Sequence, residues 1–293
     1  MPLGEFIQGP GGKFAGSRPG GKAERPKTGR GGRGRMGQIG LKHEGYSEHA
    51  YLDLRGVIHT SDVDDAVKAL AQNRQVELNQ PREVATLLDK LGKVAADMEA
   101  KGEKAPDFDL CNVSVAGTNL FCAESHGIPR AKMPQLTKQQ TQDFIADLEK
   151  RGFKVSKGTE FAAHLRATQD QLIGYKVAGI AGAIRNNPDV GERGIVINRD
   201  GYILDGHHIW AAKIGVDAAD NILADDKKMN VTRVDVGIIQ LLHLANQFTG
   251  KGGRKGMGDA WLRAAEILAH VYAADGREID WMRAATILRA LKE

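Results

Sequence analysis

The stretch Ile203-Leu204-Asp205-Gly206-His207-His208-Ile209-Trp210-Ala211-Ala212 decides how this chain is read. An apolar strand ends at Leu204, Gly206 permits a tight turn, and an apolar helical run follows. Backbone N–H groups at a helix start have no intrahelical partner and can hold an anion. Asp205, His207 and His208 place a carboxylate and two imidazoles at the same point, so they are the candidate catalytic residues. Asp205 reads equally well as a helix N-cap. Adjacent histidines rarely share a metal and no third ligand is evident, so no metal site is assigned.

Working outward, Ile195-Val196-Ile197 and Tyr202-Ile203-Leu204 read as strands joined through Asn198-Arg199-Asp200-Gly201, where Asp-Gly marks a hairpin tip. Upstream, Arg166-Ala167-Thr168-Gln169 leads into a helix holding Leu172, Val177, Ile180, Ala181 and Ile184. Downstream, Asn230 to Val236 reads as a strand and Ile238 to Phe248 as a helix. Strands and helices mixed in this order predict an α/β (α+β) domain with a small mixed sheet over residues 157–249.

The flanking regions read as additions to that domain. Residues 51–156 predict a helical and hairpin accessory region that begins near Tyr51. Thr60 or Ser61 caps its first helix, and Pro81 opens a second helix with an apolar stripe from Val84 to Met98. A hairpin is expected around Ala116-Gly117-Thr118-Asn119, and an amphipathic helix over Gln139 to Lys150. Between them, Gly127 to Leu136 stays extended because of its two prolines, with Arg130 and Lys132 either on a ligand or facing water. Residues 259–293 predict a C-terminal helical hairpin.

Charge is concentrated at one end. The 293-residue chain has a formal net charge of +4, yet its first 40 residues hold eight Lys/Arg against two Glu. The remaining residues therefore sum to −2, so the body is near neutral. Thirteen of those 40 residues are Gly, and Arg-Gly steps recur at residues 28–35. Residues 1–45 are expected to be a disordered basic tail, suited to contacting polyanion phosphates or serving as a solubilising leader or linker. No apolar run approaches membrane-spanning length, and no signal-peptide apolar segment follows Met1. Cys111 and Cys122 are too few for a disulfide scaffold and are expected as two small buried thiols. Cytoplasmic placement is the resulting expectation.

At Asp205-Gly206-His207-His208-Ile209-Trp210-Ala211-Ala212 the chain resembles the ParB/sulfiredoxin superfamily. The resemblance runs back to Arg166-Ala167-Thr168-Gln169 and Lys176-Val177 and forward to Val231-Thr232-Arg233-Val234, about a third of the chain. The longer run from Gly127 to Leu136 is similar to ParB-like proteins of actinobacterial phages and prophages, often associated with head-morphogenesis polypeptides. The resemblance implies nucleotide phosphates at the turn, with Gly206, His208, Lys176, Arg166 and Gln169 as binding residues. ATP, ADP or CTP with Mg2+ would be the cofactors. His207 stands where sulfiredoxin has its catalytic cysteine, which removes peroxiredoxin repair from the readings. Ile209 stands where the superfamily carries an arginine, and Gly179 and Ala183 stand where it often carries hydroxyls, so the turn reads as a binding site before a catalytic one.

Three functions follow from these readings. The first is a nucleotide-binding ParB-like protein with phosphotransferase or nuclease-like activity and DNA association. The second is a non-enzymatic phage head- or genome-associated DNA-binding protein, partnered by phage structural proteins in the virion. The third is a toxin-like effector domain.

Overall fold

Every residue of β7 (Ile195–Asn198) is buried, because its alternate side chains enter two different cores. Ile195 and Ile197 point into one core, and Val196 into the other. On the neighbouring strand β8 (Ile203–Asp205), Ile203 and Leu204 divide the same way. A strand with both faces apolar belongs inside a layered structure, helices above and below. The computed structural model describes residues 40–221 and 227–250 and shows this arrangement.

The sheet that carries the turn has the order β6 (Val155–Phe161), β9 (Lys228–Val234), β7, β8. The β6/β9 and β7/β8 pairs are antiparallel, and β7/β9 is parallel, with Ile195 opposite Val231. On one face lie α3 (Lys138–Lys150) and α6 (Ile238–Thr249), which bury Phe144, Leu148, Leu241 and Leu242 against Val196 and Leu204. On the other lie α4 (Gly174–Asn186) and α5 (His207–Asp217), packed on each other. Trp210 of α5 is buried in this second core, and its indole N–H donates to the Ala162 carbonyl at 2.8 Å.

A second sheet, of five short strands, occupies the N-terminal half. Its order is β1 (Tyr51–Leu52), β2 (Ile58–Thr60), β3 (Val76–Leu78), β4 (Val113–Val115), β5 (Thr118–Asn119). The two inner pairings are parallel, and the crossovers run through α1 (Val63–Ala71) and α2 (Pro81–Ala100). The accessory region is therefore a mixed α/β unit, whereas the sequence suggested helices and a hairpin. Three-residue strands such as Ile58–Thr60 are too short to show a period of two, which explains the difference.

Other expectations are corrected in detail. Order begins before Tyr51, since Leu41, Tyr46 and Ala50 are already buried. The cap of α1 is Asp62, whose carboxylate accepts the Asp64 N–H, while Thr60 Oγ1 accepts the Asp62 N–H one step earlier. The hairpin between β4 and β5 turns at Ala116-Gly117, both with positive φ. Cys111 and Cys122 are not free thiols but a disulfide, with Cα atoms 5.1 Å apart. Asn119 explains their meeting: its side chain donates to the Cys111 carbonyl at 2.6 Å and accepts the Cys122 N–H at 2.7 Å.

The expected boundary at residues 156/157 falls inside β6, and one hydrophobic core crosses it. Leu87, Leu88 and Leu91 of α2 belong to the same core as Val177 and Trp210. Asp109 adds a polar tie, its carboxylate accepting the N–H groups of Cys111 and Leu172. The basic tail up to residue 39 and the expected helical hairpin over 259–293 lie outside the described residues. Among the described residues no helix is long and apolar enough to cross a membrane.

Gly174 marks the closest approach in this shared core. A Cβ there would meet the Phe108 carbonyl oxygen at 2.5 Å and Leu91 Cδ1 at 3.0 Å, while the Gly174 N–H donates to the Asp107 carbonyl. Gly174→Ala is expected to cost about 1–3 kcal/mol and lower the Tm by roughly 5 °C. In the same helix Gly182 has open space around it, so Gly182→Ala is expected to stabilise by up to about 1 kcal/mol. Thermal unfolding followed by circular dichroism checks both signs.

Candidate phosphate site

The β8–α5 turn is shaped by Gly206. Its φ of +104° lies in the left-handed region, and a Cβ would meet Ile195 Cγ2 at 2.3 Å and Ile195 Cβ at 2.8 Å. Only glycine fits here without moving the core strand. Gly206, not Asp205, takes the N-cap position, and no side chain caps the helix. The N-cap reading of Asp205 is thereby corrected: the residue ends β8, one step too early to reach the helix N–H groups. Its carboxylate instead accepts a hydrogen bond from Thr141 Oγ1 of α3 at 3.3 Å.

The turn opens on a cavity of ≈ 200 Å³. Asp205, Gly206, His207 and His208 all line it, joined by Gln169 from the chain before α4. Ile209 and Ile180 form an apolar wall, and Ile209 is buried in the core. Two arginines complete the lining. Arg130 comes from the short 3-10 turn Arg130–Lys132 after Pro129, and Arg193 from the residues just before β7. Neither is ion-paired with a described residue. Arg193 escapes sequence reading because nothing local distinguishes it; only the pairing of β7 with β8 carries it to the turn.

Both imidazoles already have work. His207 is buried, and its Nε2 accepts the Thr168 N–H at 3.0 Å. His208 Nε2 accepts the Ile173 N–H at 3.3 Å, directly before the start of α4. An Nε2 that accepts carries no proton, so in the neutral ring the proton is on Nδ1. Burial, with the charges of His208 and Arg130, holds the His207 imidazole down at about 3. Burial, with the charges of Arg130 and Lys176, holds His208 at about 4. Asp205 moves the other way: burial raises its carboxyl, and Arg193, Thr141 and the Gly206 N–H partly offset this.

Of the remaining sequence candidates, Arg166 and Lys176 are placed apart from the cavity wall. Arg166 pairs with Glu124 at 3.0 Å and lies over the Tyr202 ring at 5.7 Å. Lys176 is exposed on the first turn of α4, near enough for its charge to act on His208 without lining the cavity. Gln169 is buried and lines the cavity, its side-chain amide donating to the Gln171 carbonyl at 2.6 Å. The structure thus brings Asp205, Gly206, His207, His208 and Gln169 together, adds Arg130 and Arg193, and leaves Arg166 and Lys176 outside the lining. Among the described residues no three His, Cys, Asp or Glu side chains are grouped to hold a metal ion.

Comparison of the chain with known protein families, with curated proteins and with solved structures finds no match.

The histidines set an acid limit on the fold. Both have folded values below the unfolded value of 6.5, so the unfolded chain binds more protons between those values. Their contribution is complete above about pH 6.5 and falls away as the pH drops towards 4. By about pH 5 each costs on the order of 2 kcal/mol. Denaturant unfolding at pH 7.5 and pH 5 is expected to show this loss. His208→Gln, whose carbonyl can accept the Ile173 N–H without titrating, is expected to show about half of it.

Proposed function

We propose that this chain is a ParB/sulfiredoxin-like protein that binds the phosphate end of a nucleotide or a related phosphorylated compound at the Asp205–His208 turn. The observation that carries this reading is the cavity formed where α5 begins. The first backbone N–H groups of that helix are without a side-chain cap, and the polar lining converges on them. A phosphate satisfies such N–H groups well, and the aligned peptide dipoles favour its negative charge.

Binding fits the site better than turnover. A general base needs a free lone pair in reach of the proton it takes. In the neutral rings of His207 and His208 that lone pair is on Nε2 and already accepts a backbone N–H. Taking a proton there would break the hydrogen bonds that hold Thr168 and Ile173. Asp205 remains the one acid in the lining, and it is the residue left for phosphotransfer or nuclease-like proton transfer. Ile209 contributes an apolar wall where the resembled superfamily has an arginine, which further weakens a case for phosphoryl transfer.

DNA association is a second reading, favoured by the charge of +6 in the first 40 residues. It fits a phage head- or genome-associated role and rests on the tail alone. Such binding is expected to weaken steeply with salt and to vanish on removal of residues 1–40.

A thermal-shift series with ATP, ADP and CTP, with and without Mg2+, tests the first reading. Ligand at about one hundred times its Kd stabilises by about 2.7 kcal/mol, which raises the Tm by roughly 5–10 °C. His208→Ala is expected to reduce that rise. No shift with any nucleotide at millimolar concentration, nor with inorganic phosphate or ribose 5-phosphate, contradicts the reading.

A further inference from the structure

We infer that Arg130 and Arg193 form a two-sided clamp on a single phosphoryl group, replacing the arginine that the turn itself lacks, and that the ligand is a small phosphomonoester. This rests on the phosphate reading of the turn and adds which residues grip and what is gripped. Neither arginine belongs to the turn, and they come from segments more than 60 residues apart in sequence.

Their positions bracket the turn. Arg130 is the arginine whose charge is felt by both His207 and His208, at the helix end. Arg193 is the arginine whose charge is felt by Asp205, at the strand end. Both face the same cavity, and neither is ion-paired with a described residue. By contrast Arg233 of β9 is ion-paired with Glu160 at 2.7 Å, and Arg166 with Glu124 at 3.0 Å. Two guanidinium groups that face one cavity outside any ion pair suit an anion, because each offers a planar fork of donors that matches phosphate oxygens.

Arg130 is also held from behind. The Ile128 N–H donates to the Thr168 carbonyl at 3.1 Å, and the Asp170 N–H donates to the Ile128 carbonyl at 3.0 Å. The Lys132 and Met133 N–H groups close the short turn that carries Arg130. The segment bearing the first arginine is therefore fastened to the same Thr168–Asp170 chain that His207 fastens to α5.

Charge and size define the ligand. Arg130 and Arg193 bring two positive charges to the dianion of a phosphomonoester, while the half-buried Asp205 carboxylate beside them disfavours the additional charge of a triphosphate. The volume of ≈ 200 Å³ is below the range of about 300–1,000 Å³ usual for drug-sized ligands. It accommodates a phosphoryl group with a small polar part such as a sugar, and leaves a purine or pyrimidine base outside.

Isothermal titration of the full chain with inorganic phosphate, ribose 5-phosphate, AMP and ATP tests this. Ribose 5-phosphate and AMP are expected to bind within about threefold of each other, and ATP no more tightly. Arg130→Ala and Arg193→Ala are each expected to weaken ribose 5-phosphate about tenfold or more, with Lys at either position restoring only part. Unchanged Tm values in the unliganded variants would show that the loss belongs to the ligand. Tight nucleotide binding that neither arginine variant weakens overturns the clamp and leaves the turn as the site. AMP binding more than about thirtyfold tighter than ribose 5-phosphate overturns the small phosphomonoester, since the base is then being read. Absence of binding by all four probes overturns both the clamp and the phosphate reading beneath it.

Discussion

The hydrogen bond from the Thr168 N–H to His207 Nε2, 3.0 Å long inside the core, holds the centre of this molecule together. Around it the polar groups of four segments are satisfied at once. Thr168 Oγ1 donates to the Ile203 carbonyl of β8 at 2.6 Å, and the Thr168 carbonyl accepts the Ile128 N–H. One residue further into α5, His208 accepts the Ile173 N–H at the threshold of α4. Buried backbone groups left unpaired are costly, on the order of 1–3 kcal/mol each. The paired histidines thus act first as acceptors that let a glycine turn, a strand end and two helix starts come together in an apolar interior. Their neutrality follows from the same fact, since a protonated Nε2 could not accept.

That constraint also explains why the cavity has the character it does. Because the imidazoles are neutral acceptors, the positive charge of the cavity lining is that of its arginines. It comes from Arg130, on the segment tied to Thr168, and from Arg193, at the head of β7. Ile209 occupies the position where a motif arginine is expected and is packed into the core instead. The turn ends in uncapped helix N–H groups, and the cationic side chains of its cavity come from neighbouring elements.

Much of the sheet that bears the site was legible in the sequence. Ile195 to Ile197, Tyr202 to Leu204 and the helix after Gly206 have strong local signals: an Asp-Gly hairpin, continuous apolar strands and a glycine that alone tolerates φ of +104°. Asp205, Gly206, His207 and His208 could be grouped because they are consecutive. Other features depend on long-range contact and left no local trace. The parallel strands Ile58–Thr60 and Val76–Leu78 are three residues each, and their order is set by crossovers through α1 and α2. Arg193 reaches the cavity only because β7 lies beside β8. The disulfide between Cys111 and Cys122 contradicts the expectation of free thiols because that expectation rests on the small number of cysteines, while Asn119, whose amide bonds both backbones, reads as an ordinary turn residue. Arg166 and Lys176 show the converse: both match the resembled pattern in sequence, yet one is paired with Glu124 and the other is exposed beyond the cavity.

The state of the two imidazoles is the most direct measure of this arrangement. Nuclear magnetic resonance of histidine side chains labelled with nitrogen-15, recorded through long-range proton couplings between pH 8 and pH 5, reports both charge and tautomer for each ring. His207 and His208 are expected to remain neutral and protonated on Nδ1 down to about pH 5, in keeping with values near 3 and 4. Titration of either ring near its ordinary value of 6.5, or a ring protonated on Nε2 at neutral pH, would contradict the acceptor role on which the turn and its cavity are built.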